Sequence, residues 1–444
     1  MVYIKKRTII ICIILFIVIV GLIIFCLTPH TTLKPIENGE QTVNDSTDID
    51  MYRVATKSWA NGKWLGDIDK TTIKSITFTN SDFQNVHGDK AWEYDGMQFV
   101  LDKDAITIYV SPDIKMRGSL HGAFQDMTSL ESIQGFAYFN TSECTEMSSM
   151  FANCTSLIAV DAPHLKTNSV LTASKMFFNC TALEHIDLTK CDMQSAVDMS
   201  EIFYGCTKAK NIGLPKTKDV TTLRRAFSKV GTSDGDYTLL IGKLNTENCT
   251  DMSEMFAHSM IQSYNIAETF NTASLITAAS MFESCGLQSI NLSSWNTDKL
   301  ENTERMFYDN IWCSTIDVSG WNTPKLANTS EMFYYCSRVK NININWTNAQ
   351  NISNASNMFK YCFSLEQLTL TGLNNMRVGN TTRMFEGCSE LKTIYCTNIN
   401  SDVSYYMFNN CTALNGSIPY SADKITADMA TTEGYFTQPQ VTAE

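Results

Sequence analysis

Residues 176–188 read MFFNCTALEHIDL, and residues 358–370 read MFKYCFSLEQLTL. Each stretch has a Met before a Phe, a Cys three residues after that Phe, and apolar residues at the sixth, ninth and eleventh positions after it. The ninth and eleventh positions are two residues apart, which is the spacing of side chains on one face of a strand. A short strand is therefore predicted after each Phe.

The same pattern recurs from residue 120 almost to the end of the chain. Successive marker residues are 23 to 29 positions apart. They are Phe124, Phe151, Phe177, Phe203, Phe227, Phe256, Phe282, Phe307, Phe333, Phe359, Phe385 and Phe408. A fixed period in this range indicates a solenoid, in which one repeat cannot bury its apolar side alone but stacked repeats can. Positions in a repeat are numbered below from its Phe, so that the Cys is at +3.

Met at −4 and apolar residues at −1 and 0, as in TEMSSMF (145–151), are typical of one side of a short helical turn. Each repeat is therefore predicted to be a strand, a corner and a short helical segment. The predicted class is α/β: a leucine-rich-repeat solenoid of about twelve turns of about 26 residues.

The rest of the chain is divided by composition. Strands are expected at ITF (76–78), MQFVL (97–101) and AITIYV (105–110), and these precede the array as a cap would. The predicted domains are a basic segment (1–7), a transmembrane anchor (8–27), a linker (28–50), an N-terminal β cap (51–115), the solenoid (116–418), and a C-terminal cap and tail (419–444).

The N-terminus predicts export. Lys5, Lys6 and Arg7 precede an uncharged stretch from Thr8 to Leu27, long enough as a helix to cross a bilayer. Because basic residues stay in the cytoplasm, the expected product is a single-pass membrane protein with its repeats outside the cell. A cleaved signal peptide is the alternative, although an A-x-A site is missing at the end of the stretch.

Composition excludes several functions. Charged residues make up 18% of the chain and the net charge is −12, so a nucleic-acid partner is not expected. CxxC pairs and the GxSxG, P-loop, HExxH and GxGxxG motifs are all missing from the sequence. We therefore expect no enzyme activity, no cofactor and no metal.

Two recurring residue types have both a structural and a functional interpretation. Cys occupies +3 in eight turns, as Cys154, Cys180, Cys206, Cys285, Cys336, Cys362, Cys388 and Cys411. A buried row of free thiols is expected, because Met, Val, Ser and Asn fill the position elsewhere; disulfides between adjacent turns are the alternative. Trp295, Trp321 and Trp346 exchange with Leu, which favours the core over a carbohydrate-binding platform.

The repeats resemble the BspA-like leucine-rich-repeat surface proteins of bacteria. The resemblance rests on DMSEMF (251–256), the recurring MFxxC, SSWNT (293–297) and the ending DMATTEGYFT (428–437), and it covers roughly residues 50–437. It implies a right-handed solenoid, display at a cell surface, and adhesion or partner binding, but it transfers no binding residue. The chain departs from the pattern at 228–245, where GTSDGD lengthens one turn.

The expected function is a cell-surface binding protein or adhesin, and the alternative is a structural spacer with no ligand. The partner is an unknown macromolecule, such as a surface protein or glycan of a host or microbe. Since +9 and +11 face inward, +8 and +10 must point to solvent. The turn after Phe282 is one residue short, so Ser289 and Asn291 take these places there. The candidate binding residues are Asp161, His185, Asp187, Asn291, Asp317, Asn341, Asn343, Gln367, Thr369 and Tyr395. This face carries acceptors suited to a basic or sugar-like partner.

Overall fold

The computed structural model describes residues 49–50, 70–80, 91–94, 97–101, 104–110, 115–138, 140–160, 162–231, 240–241, 244–260 and 270–439. The chain divides into two compact units. Unit 1 comprises Met1–Val220, Val230–Thr232 and Leu239–Leu244, and unit 2 comprises Thr221–Lys229, Ser233–Thr238 and Asn245–Glu444.

Unit 1 is a parallel β-solenoid with an N-terminal sheet. Its strands are β1 (Ile49–Asp50), β2 (Ser75–Asn80), β3 (Ala91–Tyr94), β4 (Met97–Leu101), β5 (Ala105–Val110), β6 (Lys115–Ser119), β7 (Ser132–Gln134), β8 (Asn140–Glu146), β9 (Ala159–Val160), β10 (His185–Asp187), β11 (Asp192–Met193), β12 (Asn211–Gly213), β13 (Lys216–Thr217) and β14 (Leu240–Ile241). The sheet orders are β3-β4-β5-β2-β7-β9, β10-β12-β14, β1-β6-β8 and β11-β13. Pairing is parallel except for β3 with β4 and β4 with β5.

Unit 2 repeats the same arrangement. Its strands are β15 (Ser289–Asn291), β16 (Thr315–Asp317), β17 (Asn341–Asn343), β18 (Gln367–Thr369), β19 (Met376–Asn380), β20 (Thr393–Tyr395), β21 (Ile399–Val403) and β22 (Phe436–Thr437). The sheet orders are β15-β16, β17-β18-β20-β22 and β19-β21. Equivalent residues pair in register one repeat apart, as Asn341 does with Gln367 and Gln367 with Thr393. This register aligns the strand residues of successive repeats.

The marker Phe residues form the centre of both units. Phe124, Phe151, Phe177 and Phe203 stack in unit 1 with ring centroids 5.1 to 5.8 Å apart. In unit 2 the row from Phe227 to Phe408 stacks at 5.3 to 5.8 Å. All twelve rings are buried. Burying each ring contributes about 2–3 kcal/mol, in addition to the Met, Leu and Ile side chains buried in the same repeat.

The predicted α/β class is wrong. The protein is a parallel β-solenoid of about ten turns with almost no helix. In the described residues the helices are single 3-10 turns at Lys70–Thr72, Phe136–Tyr138, Ala162–His164, Thr371–Leu373 and Ala427–Met429.

The segment predicted as helical instead forms two successive tight turns around the Phe. Lys175 and Asn179, at −2 and +2 from Phe177, have φ values of 58° and 57°, and left-handed residues four apart interrupt any α-helix. The Met176 N–H bonds to Ala173 O at 3.2 Å, while the Phe177 N–H bonds to Ile202 O of the next turn at 2.8 Å. Backbone groups that a helix would pair internally are thus paired between turns.

No helix among the described residues is long and apolar enough to cross a membrane. The predicted anchor at 8–27 lies outside the described residues. The prediction of a single-pass membrane protein with a cytoplasmic N-terminus is not supported and is withdrawn.

The strands expected before the array are confirmed as β2, β4 and β5, and β3 is an additional strand that pairs with β4. β2 pairs with β7 in parallel, so it covers the first solenoid strand. At the other end β22 pairs with β20, and Tyr435 packs edge-on against Phe408 at 5.2 Å. One covering strand is therefore present in unit 1 and one in unit 2.

The +3 Cys residues form the expected buried row. All Cys residues in the described part of the chain are buried and free. Each +3 thiol donates to the carbonyl of the preceding turn's Phe, as Cys180 Sγ does to Phe151 O at 3.1 Å and Cys362 Sγ does to Phe333 O at 3.0 Å. Cys at +3 is therefore both a buried apolar side chain and a donor to this carbonyl, and in unit 2 Asn310 makes the same bond to Phe282 O.

The repeated Trp residues belong to the core, as expected. Trp295, Trp321 and Trp346 are buried and stack at 6.3 and 5.4 Å. The indole N–H groups of Trp321 and Trp346 each donate to a backbone carbonyl at 2.8 Å. These three residues are not available as a carbohydrate-binding platform.

Candidate functional site

The strand face has the predicted orientation. In β10, β15 and β17 the middle residue is buried and both its neighbours are exposed. Of the candidate residues, the exposed ones are His185, Asp187, Asn291, Asn341, Asn343 and Gln367, and the half-buried ones are Asp317, Thr369 and Tyr395. Asp161 lies outside the described residues.

Three of these candidates already have partners within their own turn. Asp187 Oδ1 accepts the Thr189 N–H at 2.9 Å and the Thr189 hydroxyl at 2.6 Å. Asn291 and Asp317 make the same pair of bonds to Ser293 and Ser319. The hydroxyl and N–H of Thr189 hold the pKa of Asp187 below its usual range. Position +10 therefore closes the corner after the strand, which is a structural role.

Ion pairs border the strand face at +7. In unit 1 Lys210 Nζ lies 2.8 Å from Glu184 Oε2. In unit 2 Glu366 is held by Lys392 at 3.2 Å and Lys340 at 3.3 Å, and both lysines lower the pKa of its carboxyl group. The face is therefore polar, and its residues at 187, 291 and 317 and its bordering +7 residues are engaged in hydrogen bonds and ion pairs within the solenoid.

A second surface of unit 2 has a different chemistry. We name the cluster Tyr308, Tyr334, Tyr335, Tyr361 and Phe363 the aromatic edge. Tyr308 and Tyr334 stack at 4.8 Å, and Tyr361 meets Tyr334 edge-on at 5.7 Å. Tyr335 packs edge-on against Phe363 at 5.6 Å, and these two side chains are 37% and 39% exposed. The edge combines mutual ring packing with a solvent-accessible apolar surface.

Two cations hold the aromatic edge in place. The Arg305 guanidinium lies 3.8 Å from the Tyr308 ring centroid and pairs with Glu283 at 2.7 Å. The hydrogen bond that Arg305 donates to Glu283 raises the pKa of Arg305 above its ordinary value. Lys360, which is buried, lies 4.8 Å from the Tyr361 centroid and pairs with Glu386 at 3.0 Å. Since each cation has a carboxylate and a ring partner, the rings are held in fixed positions.

The left-handed corner explains why these rings project outward. Tyr335 and Tyr361 occupy +2 of their repeats and have φ values of 61° and 63°. A bulky residue rarely adopts such values, so a Gly or Asn would suit this backbone better. The same corner is left-handed where Lys229 and His258 occupy +2, so the backbone is a property of the repeat and the aromatic side chains are specific to unit 2.

The sequence interpretation missed this surface because it followed the recurring apolar positions. Positions +1, +2 and +4 vary from repeat to repeat and read as solvated corners. The available signal was local: YY (334–335), YCF (361–363) and the tyrosines at 308 and 405–406 concentrate aromatic residues in one part of the array.

Repetition and the stacked core place the protein in the class of leucine-rich-repeat-like solenoid proteins. The chain belongs to the family described as "Mycoplasma protein of unknown function, DUF285", whose model matches residues 118–239, 221–340 and 308–421. No curated protein sequence matches this one significantly.

Several solved structures are similar to this chain at low identity. A leucine-rich repeat protein from Bacteroides ovatus ATCC 8483 is 18% identical over 71% of each chain, with a TM-score of 0.40. A leucine rich cell surface protein from Faecalibacterium prausnitzii A2-165 is 16% identical over 75% of this chain and 100% of its own, with a TM-score of 0.28. The pneumococcal vaccine antigen PcpA is 13% identical over 84% of this chain and 90% of its own, with a TM-score of 0.36.

These comparisons agree with the coarser part of the sequence interpretation, a leucine-rich-repeat-like protein. They do not confirm the BspA-like family by name. At such identities and TM-scores, no ligand or residue role is transferred to this chain.

Proposed function

We propose that the protein is a surface-displayed binding protein that contacts a macromolecular partner through the aromatic edge of unit 2. The observation that carries the proposal is the cluster of half-exposed aromatic side chains at Tyr335, Tyr361 and Phe363, with Lys360 over the Tyr361 ring. Display at a surface is what the resemblance of the repeats implies.

The composition of the aromatic edge suits a protein or glycan interface. Tyr, Trp, Phe and Arg are enriched at interface centres, because large rigid rings bury area at a low cost in side-chain entropy. The strand face offers amides, carboxylates and hydroxyls, and its candidates at 187, 291 and 317 are engaged in corner hydrogen bonds. The edge therefore replaces the strand face as our preferred binding surface.

Catalysis is not part of the proposal. Burial raises the pKa of Cys206, Cys285 and Cys362 to about 12, which keeps these thiols protonated at neutral pH. Nucleophilic thiols need a lowered pKa, so burial here acts against catalysis.

A structural spacer is the second candidate. It is favoured by the strand face, whose side chains at +7 and +10 bond to their own solenoid in both units. A spacer would need only these hydrogen bonds and ion pairs within the solenoid. It would tolerate any solvent-exposed residue at the positions of the aromatic edge.

The test compares two double variants that change the same two repeats. Tyr335→Ala with Phe363→Ala removes the centre of the aromatic edge, and Asn341→Ala with Gln367→Ala removes exposed strand-face residues of the same turns. Full-length protein is immobilised and screened against purified fibronectin, collagens, laminin and a panel of glycans.

For any probe that binds saturably, we expect the edge variant to lose about tenfold or more in affinity and the strand-face variant less than about threefold. Equal retention by both variants would contradict the role of the edge. No saturable binding across the panel would support the spacer.

A further inference from the structure

Unit 2 contains a surface cavity of about 450 Å³, separate from the five residues of the aromatic edge, lined by Met260, Gly286, Gln288, Trp312, Ser314 and Arg338. The Ser364 N–H donates to Ser337 O at 3.3 Å. This backbone hydrogen bond connects the residue after Phe363, in the aromatic edge, to the residue before Arg338, in the wall of the cavity. The volume lies within the usual range for a small-ligand site.

The cavity originates in a shortened repeat. The first residue of β15, Ser289, is seven positions after Phe282, whereas the first residue of β16, Thr315, is eight positions after Phe307. The shortened corner contains Gly286, and a Cβ placed there would lie 3.4 Å from the Met260 side chain. One missing residue and one missing side chain thus leave room between Met260 and Trp312.

Trp312 is the aromatic wall of the cavity. Its side chain is 53% exposed, in contrast to the buried Trp295, Trp321 and Trp346. It occupies +5, a position that holds Ser156, Arg338 or Ser364 in other repeats. An indole exposed at a solvated position beside a cavity offers a flat apolar surface to a ligand.

Arg338 provides a positive charge that no carboxylate of the described residues neutralises. Its guanidinium carbon lies 4.5 Å from the Trp312 ring centroid. The other arginines between 221 and 439 each have a carboxylate within 4 Å: Arg224, Arg225, Arg305, Arg377 and Arg383. In the described part of the chain Arg338 has none. Its donors are therefore free to hold a ligand carboxylate in a bidentate manner.

The remaining polar groups add hydrogen-bonding capacity. The Gln288 side chain is exposed at the rim of the cavity. The Ser314 hydroxyl donates to the Gln288 backbone carbonyl at 3.2 Å and keeps its lone pairs available. An indole, a guanidinium, an amide and a hydroxyl together match a pyranose ring that bears a carboxylate and several hydroxyls.

We propose that this cavity binds an acidic sugar residue, with the Arg338 guanidinium on its carboxylate and the Trp312 indole against its ring. The site deepens the proposed function by naming a ligand class, and it rests on that function only for its biological role. Binding of a free sugar is measurable whether or not the aromatic edge contacts a macromolecule.

The test is titration of full-length protein with D-glucuronic acid and, separately, with D-glucose, followed by calorimetry and saturation-transfer NMR. We expect glucuronic acid to bind in the millimolar range and glucose at least tenfold more weakly. Arg338→Met should reduce glucuronic acid affinity about tenfold or more, because a charge-assisted hydrogen bond is lost. Trp312→Ala should abolish binding of both sugars.

Arg383→Met is the matched control. Arg383 also lies over an exposed ring, Tyr406 at 5.6 Å, but it pairs with Glu386. This variant should bind glucuronic acid normally. Equal affinity for both sugars, an unchanged affinity in Arg338→Met, or binding of a short peptide carboxylate but not of glucuronic acid would overturn the proposal. Loss of macromolecular binding in the edge variant with glucuronic acid binding intact separates the two proposals.

Discussion

The row of thiols at +3 has an exception in unit 2 that makes its energetics testable. Asn310 is 2% exposed, and its Nδ2 donates to Phe282 O at 2.7 Å. Its Oδ1 is buried without a hydrogen-bond partner. The flanking repeats hold Cys285 and Cys336 at this position. Asn310→Cys should therefore stabilise the protein.

The expected change in the free energy of unfolding follows from two differences. The substitution removes the unpaired amide oxygen of Asn310 and replaces its amide donor by a thiol donor. A buried polar atom without a partner costs about 1–3 kcal/mol, and this cost disappears with the amide oxygen. The amide-to-carbonyl bond, worth about 0.5–1.5 kcal/mol, is replaced by a weaker thiol bond like that of Cys336 Sγ to Phe307 O at 3.2 Å. The expected net gain in the free energy of unfolding is about 1 kcal/mol.

The assay is urea unfolding of full-length protein under reducing conditions, followed by circular dichroism. Asn310→Ala is the control, because it removes the orphan oxygen but also the donor and leaves a small cavity. It should be about 1–2 kcal/mol less stable than Asn310→Cys. If Asn310→Cys is less stable than the native protein, the account of the +3 position as a donor slot is refuted.

Three further predictions concern the same framework. Cys362→Ala should lower the free energy of unfolding by about 1–2 kcal/mol. The native chain should lose stability above about pH 9, because thiols of the unfolded chain ionise there while buried thiols with a pKa near 12 do not. Native and denaturing alkylation and pH-dependent urea melts are the measurements. Gly372→Ala should destabilise strongly, since a Cβ there would lie 2.5 Å from the Trp346 backbone nitrogen, whereas Gly286→Ala should be nearly neutral; comparable melting temperatures would refute this. Asp187→Lys should remain folded but cost about 0.5–1.5 kcal/mol through its lost bonds to Thr189, and an unchanged unfolding midpoint would count against the corner role.

The periodic parts of the fold were predictable from the sequence. Apolar residues two positions apart, at +9 and +11, identified the solenoid strands. This signal is strong because a shift of one residue would turn the apolar side chains of a strand from the core to the solvent. The inward Phe and Cys rows followed from the same reasoning. Strands such as β10 and β17 accordingly have exposed residues at +8 and +10.

The helical segment was predicted wrongly for a physical reason. Met and Phe at −4, −1 and 0 mimic a helical face, yet their neighbours at −2 and +2 are left-handed. Those neighbours are residues such as Lys175, Glu201 and Arg305, which carry no glycine-like signal. Hydrogen bonds between turns, such as Phe307 N–H to Met332 O at 2.9 Å, stabilise this backbone, and a single repeat does not reveal them.

The candidate site was the least predictable feature. The sequence pattern predicted exposed residues at +10, but Asn291 and Asp317 also accept hydrogen bonds within their own turns, which the pattern does not reveal. The aromatic edge joins +1, +2 and +4 residues from three repeats, and Trp312 meets Arg338 from the following repeat. Such clusters depend on how the repeats stack, which the period alone does not specify.

The central claim is that the aromatic edge, and not the strand face, contacts the partner. Its most direct test is the ratio of affinities of two variants for one saturable probe: Tyr335→Ala with Phe363→Ala, and Asn341→Ala with Gln367→Ala. The account predicts that the edge variant binds at least about threefold more weakly than the strand-face variant, with equal thermal stability. A strand-face variant that binds as weakly as the edge variant, or more weakly, would contradict it.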